Sequence, residues 1–355
     1  MGLSGGVDSA VAALMLKERG FEVAGVRMSV YDGPDDGSLA YGCYGRGAAE
    51  DLASAENLVA QLGIPLAVID CARVWREMVL DYFRSEYQAG RTPNPCIRCN
   101  QMVKFLALPR LAEESGLKFD FFATGHYARI VYPDGPESRP ALGRGADRAK
   151  DQSYFLYRLS PERLARTIFP LGHLSKAEVR RLAAERGLAA HNRPDSQDFY
   201  GGDYADLLGL PDREGAVVDT QGRVLGRHQG FWHFTPGQRK GLGACGPAPH
   251  YVLRVRPELN EVVVGPAEEN SYSGCLIDDT VFHRPEPEPG ARLLARMRSA
   301  QPLREVVFAG RDERGRLRID FVQPMSGLAP GQSLVLYQDD LVLGGGIIQG
   351  GPAEY

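Results

Sequence analysis

Apolar positions in the first two hundred residues switch repeatedly between two spacings. Ala10 to Arg19 is rich in alanine and leucine and stops at Gly20, as a helix would, and the apolar run in "FEVAGVRMSV" then reads as a buried strand. In "AEDLASAENLVAQLG" the residues Leu52, Ala55, Leu58, Val59 and Leu62 recur at helical spacing before Gly63, and "IPLAVIDC" follows as the next strand. "WREMVLDYFRSEYQAG" predicts another helix, and "FDFFATGHYARIV" a strand that carries Gly125 and His126. "SKAEVRRLAAERG" predicts a helix whose Ser175 and Glu178 suit a capping box. This alternation predicts an α/β domain with a doubly wound parallel sheet and a ligand site at the carboxyl ends of its strands.

The pattern changes after about Gly201. From Gly215 onward, "GAVVDTQGRVLG", "HYVLRVRPELNEVVVG", "RLRIDFV" and "QSLVLYQDDLVLGGGII" are short β-branched runs between turn residues, which predicts one or two small antiparallel β domains. "RPEPEPG", Arg284 to Gly290, is either a linker or a connection between two strands.

Composition narrows the function classes. The 355 residues exceed what one core usually serves, and 43% hydrophobic with 24% charged residues is ordinary for a globular protein. A net charge of −4 gives no global attraction to nucleic acid or to an anionic membrane, so a polyanionic partner must meet local basic patches. No apolar run approaches the roughly 18 residues of a membrane span, and no basic-then-apolar leader precedes the first motif, so a cytosolic protein is expected. Six unevenly spaced cysteines in such a chain are expected to be reduced.

"GLSGGVDSAVAAL" places Ser4, Gly5, Gly6, Asp8 and Ser9 at the mouth of a helix. Glycines allow close approach to a phosphate, the helix N-terminus offers unpaired N–H groups, and the serines add donors. Asp8 is a candidate ligand for a magnesium ion on the phosphates. The loop lacks the Lys-Ser/Thr ending of the common NTPase loop and resembles the pyrophosphate loop of ATP pyrophosphatases, which transfer AMP to a substrate oxygen. Only Met1, Gly2 and Leu3 precede the first serine, so the strand that normally feeds such a loop is expected to be missing, through a misassigned start or a truncation.

"NPCIRCN", Asn94 to Asn100, holds Cys96 and Cys99. Zinc would need two further ligands at matching spacing, and Cys43, Cys71, Cys245 and Cys275 are scattered. If Cys99 lies near a helix N-terminus, the dipole, with Arg98 and Lys104 nearby, is expected to lower its pKa and favour a nucleophilic thiolate.

These blocks, with "TPNPCIRCNQMVKF", "ATGHYAR", "KDQSYFLYRLS", "FPLGHLSKAEVRRLAAERGL", "RPDSQDF", "GRHQGFWHFTPGQRKGLG" and "NEVVVG", make the chain similar along nearly its whole length to tRNA-specific 2-thiouridylases, which replace the C2 oxygen of the wobble uridine with sulfur. The resemblance implies an adenylating domain over 1–200, a small central domain over 201–268 and a β-barrel domain over 269–355. It implies ATP bound by Gly2, Leu3, Ser4, Gly5, Gly6, Val7, Asp8 and Ser9, with Met28 near the adenine and Gly125 lining the nucleotide. It also implies a uridine beside Asn94, Pro95 and Cys96, Cys99 as nucleophile, and tRNA contacts at His126, Lys150, Asp151, Gln152, Arg298 and Ser299. The implied partners are tRNA and a cysteine desulfurase or sulfur-relay protein, with no DNA and no membrane.

In the resembled family a further cysteine follows the "DSQ" segment, and here Tyr200 stands in its place. A phenol cannot carry a persulfide and is a poor substitute for a cluster thiolate. Three readings stay open: Cys96 and Cys99 share both roles; Cys43, in "YGCYGRG", supplies the third thiol, for a persulfide or for an iron-sulfur cluster with Cys96 and Cys99; or the protein binds tRNA without completing thiolation. A ligase or amidotransferase with the same loop, and a metal-stabilised RNA-binding protein, are the rival classes. Arg223, Arg227, Arg239 and Lys240 with Phe231, Trp232 and Phe234, and Arg292, Arg296, Arg298 and Arg304 further on, are read either as RNA-contacting strands or as a barrel core with a solvated basic face.

Overall fold

A computed structural model describes residues 1–31, 43–44, 48–189, 199–242 and 249–351. The "RPDSQ" segment and Cys245 lie outside the described residues. The chain divides into two compact units, one of Met1–Leu80, Pro95–Asp203 and Asp340–Val342, the other of Asp81–Asn94, Tyr204–Asp339 and Leu343–Tyr355.

The first unit is built on short parallel strands. Gly25–Ser29 pairs with Leu66–Asp70 in register from Gly25↔Leu66 to Ser29↔Asp70, and Phe122–Ala123 pairs with Thr167–Ile168. Between these pairs run Met1 to Leu3: Gly2 bridges Val26 in parallel, Leu3 N donates to Val26 O at 2.9 Å, and Gly2 N donates to Ala123 O at 2.8 Å. The central place that the sequence led us to expect empty is therefore held by Met1–Leu3. Burial of Met1 pushes its α-ammonium down to about 6, and that group donates to Ala24 O at 2.9 Å. The spatial order runs 66–70, 25–29, 1–3, 122–123, 167–168, so the chain changes direction of build between 1–3 and 122–123, where an open α/β sheet leaves its ligand crevice.

Helix Val7–Glu18 starts directly after the central segment and buries Val7, Ala10, Val11, Ala13 and Leu16 in a core shared with Leu58, Val59, Leu62, Leu171, Val179 and Ala183. The helices Ala48–Leu62 and Lys176–Glu185 add the stripes read from the sequence, the latter with both arms of its capping box formed. The expected strand through 119–131 is split: Phe122–Ala123 stays in the parallel sheet, while Ala128–Val131 forms an antiparallel hairpin with Ala141–Arg144. The break lets 124–127 turn across the crevice.

In the second unit, four strands are ordered Val224–His228, Gly215–Val218, Glu261–Gly265, Tyr251–Arg256. One contact departs from the antiparallel expectation, since Glu261–Gly265 runs parallel to Gly215–Val218. Beyond them, six strands close a barrel in the order Tyr272–Phe282, Leu317–Met325, Arg304–Arg311, Arg292–Arg296, Ser333–Gln338, Leu341–Gly350 and back to the first. Inward positions alternate along the strands, so that Val306, Phe308, Ile319, Phe321, Leu334 and Leu336 fill the interior. "RPEPEPG" connects two barrel strands.

Candidate active site

The loop after Met1–Leu3 is shaped by its small residues. Gly5 adopts φ +77°, Ser9 Oγ donates to Gly6 O at 3.0 Å, and Ser4 N donates to Ser9 Oγ at 3.3 Å. Opposite the loop is Gly125, where a Cβ would come within 2.8 Å of the Asp8 carbonyl carbon and 2.9 Å of Ser9 N. Only glycine fits there, which accounts for its place in "ATGHYAR". Met28 lies half-buried on the neighbouring strand. The loop thus opens at the switch point onto the first turn of a helix, where backbone N–H groups attract phosphate.

Asp8 does not stand free for a metal. Its two carboxylate oxygens accept from Lys176 Nζ at 2.7 and 2.9 Å, and Oδ1 also accepts from the Tyr127 hydroxyl at 2.8 Å. The carboxylate expected to meet magnesium is thus ion-paired within the protein.

The thiols lie on a helical run from 95 to 114 that is α at Pro95–Cys99, π at Asn100–Ala107 and α again at Leu108–Glu114. Pro95 opens the run, as it can where no N–H acceptor is needed. Cys96 and Cys99 are three apart in its first turns and so neighbour each other on one face. Cys99 therefore sits at the α-to-π junction and not at the helix start. Burial pushes its thiol up; the Lys104 ammonium and a hydrogen bond from Trp75 pull it down without cancelling that effect. The expected lowering is thus reversed for the unliganded state, because burial outweighs Lys104 and the Trp75 hydrogen bond. The i→i+5 pattern of the π segment widens its turns, which favours side chains five apart sharing a face, as Cys99 and Lys104 are.

Two further thiols lie near Cys99. Negative charge on Cys43 raises its pKa, and Cys99 in turn raises that of Cys71, whose thiol is pushed to about 12, first by burial and then by Asp70. Cys43 is exposed and Cys71 buried. Tyr44 N donates to Phe199 O at 3.0 Å and the Tyr44 ring stacks on Trp75, so the segment bearing Cys43 is tied to the one bearing Tyr200. Tyr200 is almost wholly buried, a packing group where a third sulfur was looked for. Among the described residues no three His, Cys, Asp or Glu side chains gather into a group able to hold a metal ion. Cys96, Cys99 and Cys43 do not fit an iron-sulfur cluster as they stand.

The tRNA positions divide in two. Lys150 is exposed, but Asp151 is buried and accepts from Gly145 N (3.0 Å), Ser153 N (3.1 Å), Ser153 Oγ (3.1 Å) and Arg144 Nε (3.2 Å). Gln152 Oε1 accepts from Tyr127 N at 2.9 Å. Both hold the loop together, so neither is a free RNA contact here. His126 Nδ1 lies 2.8 Å from Thr124 Oγ1 beside the rings of Phe105 and Phe169, and burial, followed by Lys104, holds it well below its ordinary pKa. Asn94 ends the Asp81–Asn94 segment of the second unit.

Within that unit the aromatic half of the expected RNA surface is core: Phe231, Trp232 and Phe234 are buried. Arg223 pairs with Asp219, Arg227 with Glu214 and Arg292 with Glu305, while Arg296 is buried and donates to Tyr337 Oη (3.0 Å) and Ser299 O (3.0 Å). Arg298 donates to Pro236 O at 2.8 Å. Arg239, Lys240 and Arg304 are exposed. Base stacking on these aromatics is ruled out by their burial.

Sequence reasoning passed over Lys176, Tyr127 and Trp75 as site residues. For Lys176 a signal existed, since a lysine at the first position of a capped helix opposes the dipole. For Trp75 and Tyr127 none did, because a single aromatic in an apolar run reads as core.

Residues 1–200 match the family described as tRNA methyl transferase HUP domain, 208–266 the tRNA methyl transferase PRC-barrel domain and 272–348 the aminomethyltransferase beta-barrel domain. A tRNA-specific 2-thiouridylase MnmA of Endomicrobium trichonymphae is 44% identical over 98% of both chains. Namesakes from Lachnoclostridium phytofermentans (41%, 98% of both chains) and Symbiobacterium thermophilum (42%, 98% of this chain and 91% of the relative) are similar throughout. The chain belongs to the tRNA-specific 2-thiouridylase family. The resemblance read from the motifs is borne out, and with it the doubly wound domain followed by β-rich domains ending in a barrel. Among the described residues no helix is long and apolar enough to cross a membrane.

Proposed function

We propose that this chain, a tRNA-uridine 2-sulfurtransferase, uses ATP to convert the wobble uridine of tRNA to 2-thiouridine, releasing AMP and pyrophosphate. The observation that carries the proposal is end-to-end identity above 40% with named 2-thiouridylases, on a chain whose first unit holds both the phosphate cradle and the thiols. The uridine O2 attacks the α-phosphorus and pyrophosphate leaves; the O2–adenylate then becomes the leaving group at C2.

For sulfur, Cys43 is the better carrier and Cys99 the resolving nucleophile. Cys43 is exposed and can take sulfur from a donor protein such as a cysteine desulfurase, and its charge reaches Cys99. The terminal persulfide sulfur on Cys43 attacks C2 and AMP departs with O2. The Cys99 thiolate then attacks the inner sulfur, the S–S bond to the base breaks, and sulfur stays on C2. A Cys43–Cys99 disulfide results, which an external thiol must reduce before the next cycle. Cys96 neighbours Cys99 and is the alternative partner. Magnesium enters on the ATP phosphates. Donor protein, tRNA contacts at Lys150 and His126, a cytosolic location and a division at 1–200, 201–268 and 269–355 belong to the same proposal.

The test supplies full-length protein with ATP, magnesium, a persulfide donor and unmodified tRNA under anaerobic conditions, with and without iron. 2-Thiouridine formed without iron is the expected result. Pyrophosphate released with no thiouridine would favour a tRNA-binding paralogue that stops at adenylation, and a strict need for iron would replace the disulfide scheme.

A further inference from the structure

A cavity of about 330 Å³ opens in the first unit, lined in part by Arg19, Phe121, Arg129, Tyr132, Thr167 and His173. Its size falls within the roughly 300 to 1,000 Å³ of small-molecule sites. Arg19 caps the carboxyl end of helix Val7–Glu18, whereas Asp8 and the phosphate loop lie at the other end, roughly 16 Å away along the axis. Phe121 and Thr167 stand at the amino ends of the strands Phe122–Ala123 and Thr167–Ile168, while the loop faces the carboxyl ends. The cavity is therefore separate from the crevice at the switch point.

Its walls are aromatic and cationic. Phe121 is 47% and Tyr132 42% exposed, and among the described residues neither ring packs on another ring. Two arginines and a histidine line the cavity, with no carboxylate among the lining residues. Arg19 is exposed, and among the described residues its side chain makes no ion pair or hydrogen bond. Arg129 donates to Asp340 Oδ2 at 3.2 Å, but Arg144 and Arg148 share that carboxylate. Even with Asp151 on Arg144, three guanidiniums there meet two carboxylates, so the cluster stays positive. A purely apolar ligand would desolvate Arg19 without a partner, and a small inorganic anion would leave both ring faces wet. A planar ring that carries a phosphate satisfies both walls, by stacking on the aromatics and by charge-assisted hydrogen bonds from the cations. We propose that this cavity binds a free nucleoside monophosphate, its base against Phe121 and Tyr132 and its phosphate at Arg19 and His173. The inference goes beyond the thiolation reading and does not rest on it; the AMP which that reaction releases is one member of the ligand class.

The experiment adds AMP, adenosine, inorganic phosphate or unmodified tRNA, each alone, to full-length F121W and follows the fluorescence of its added indole. Subtracting the response of wild type removes what Trp75 and Trp232 report from elsewhere in the chain. AMP should give a saturable difference signal, with adenosine and phosphate each bound at least about tenfold more weakly, because each keeps only one of the two recognised parts. Loss of a charge-assisted hydrogen bond in F121W/R19A should weaken AMP about 10- to 100-fold, with F121W/R19K recovering part. No saturable signal with millimolar AMP would overturn the proposal. AMP bound equally by F121W and F121W/R19A would overturn the place given to the phosphate, and phosphate bound as tightly as AMP would reduce the cavity to an anion site. A signal from tRNA but none from AMP would assign the cavity to a nucleotide of the RNA and overturn the free ligand. Should F121W not fold, Y132W takes its place under the same criteria. Wild type that makes no 2-thiouridine while F121W answers to AMP would overturn the thiolation reading and leave this inference standing.

Discussion

The Tyr44 ring lies face to face on the Trp75 indole, with centroids 4.3 Å apart and planes within 11° of parallel. The same indole hydrogen-bonds Cys99 and favours its ionised form. One tryptophan thus ties the Cys43 segment to the helix of Cys99 and tunes the thiol. Trp75→Phe keeps a ring for Tyr44 but removes the N–H, so the Cys99 pKa should rise further. The expected outcome is alkylation of Cys99 by iodoacetamide slowed roughly three- to tenfold at pH 8, as thiolate falls tenfold per unit of pKa. An unchanged rate would mean that the indole only packs.

Lys104 acts on two groups at once. It lowers the Cys99 pKa and holds down that of His126. Lys104→Met should therefore move the two pKa values upward together, slowing Cys99 alkylation while His126 titrates nearer its ordinary 6.5 in an NMR pH series. Movement of one without the other would place the lysine beside that group alone.

Cys99→Ser and Cys43→Ser should separate the two halves of the reaction. Each should abolish 2-thiouridine while leaving pyrophosphate release within about threefold of wild type, because adenylation needs no thiol. Full thiolation by Cys43→Ser would shift the carrier role to Cys96.

The fold was legible where pattern alone decides structure: helices closed by Gly20 and Gly63, both at positive φ, and the capping box at Ser175. The site was less so, because its chemistry depends on what a residue meets across the fold. Asp8, read as a metal ligand, is ion-paired with Lys176, distant in sequence. Cys99 was considered at a helix N-terminus, but the helix starts at Pro95, and that shift carries the half-buried thiol to the α-to-π junction. Interleaved arginines and aromatics in 223–240 looked like an RNA surface because residue type does not report direction; the rings point into the core.

Lys150 and Asp151 are adjacent but should behave oppositely. Asp151→Asn leaves the Arg144 guanidinium without its buried carboxylate and should cost about 3 to 5 kcal/mol in urea unfolding. Lys150→Ala should leave stability within about 0.5 kcal/mol, weaken tRNA binding, and lower its salt dependence by about one counterion. Equal loss of stability in both would remove Lys150 from the tRNA surface.

His126 sets a pH dependence. Its folded pKa lies well below 6.5, first because it is buried and then because of Lys104, so the folded protein binds a proton there less readily than the unfolded chain. Stability from this group is therefore fully present above about pH 6.5 and falls as pH drops from there toward the folded pKa. His126→Asn should flatten that limb: the difference in unfolding free energy between pH 7 and pH 5 should be smaller in the variant than in wild type. An unchanged difference would assign the acid limb to other groups and leave His126 titrating alike in both states.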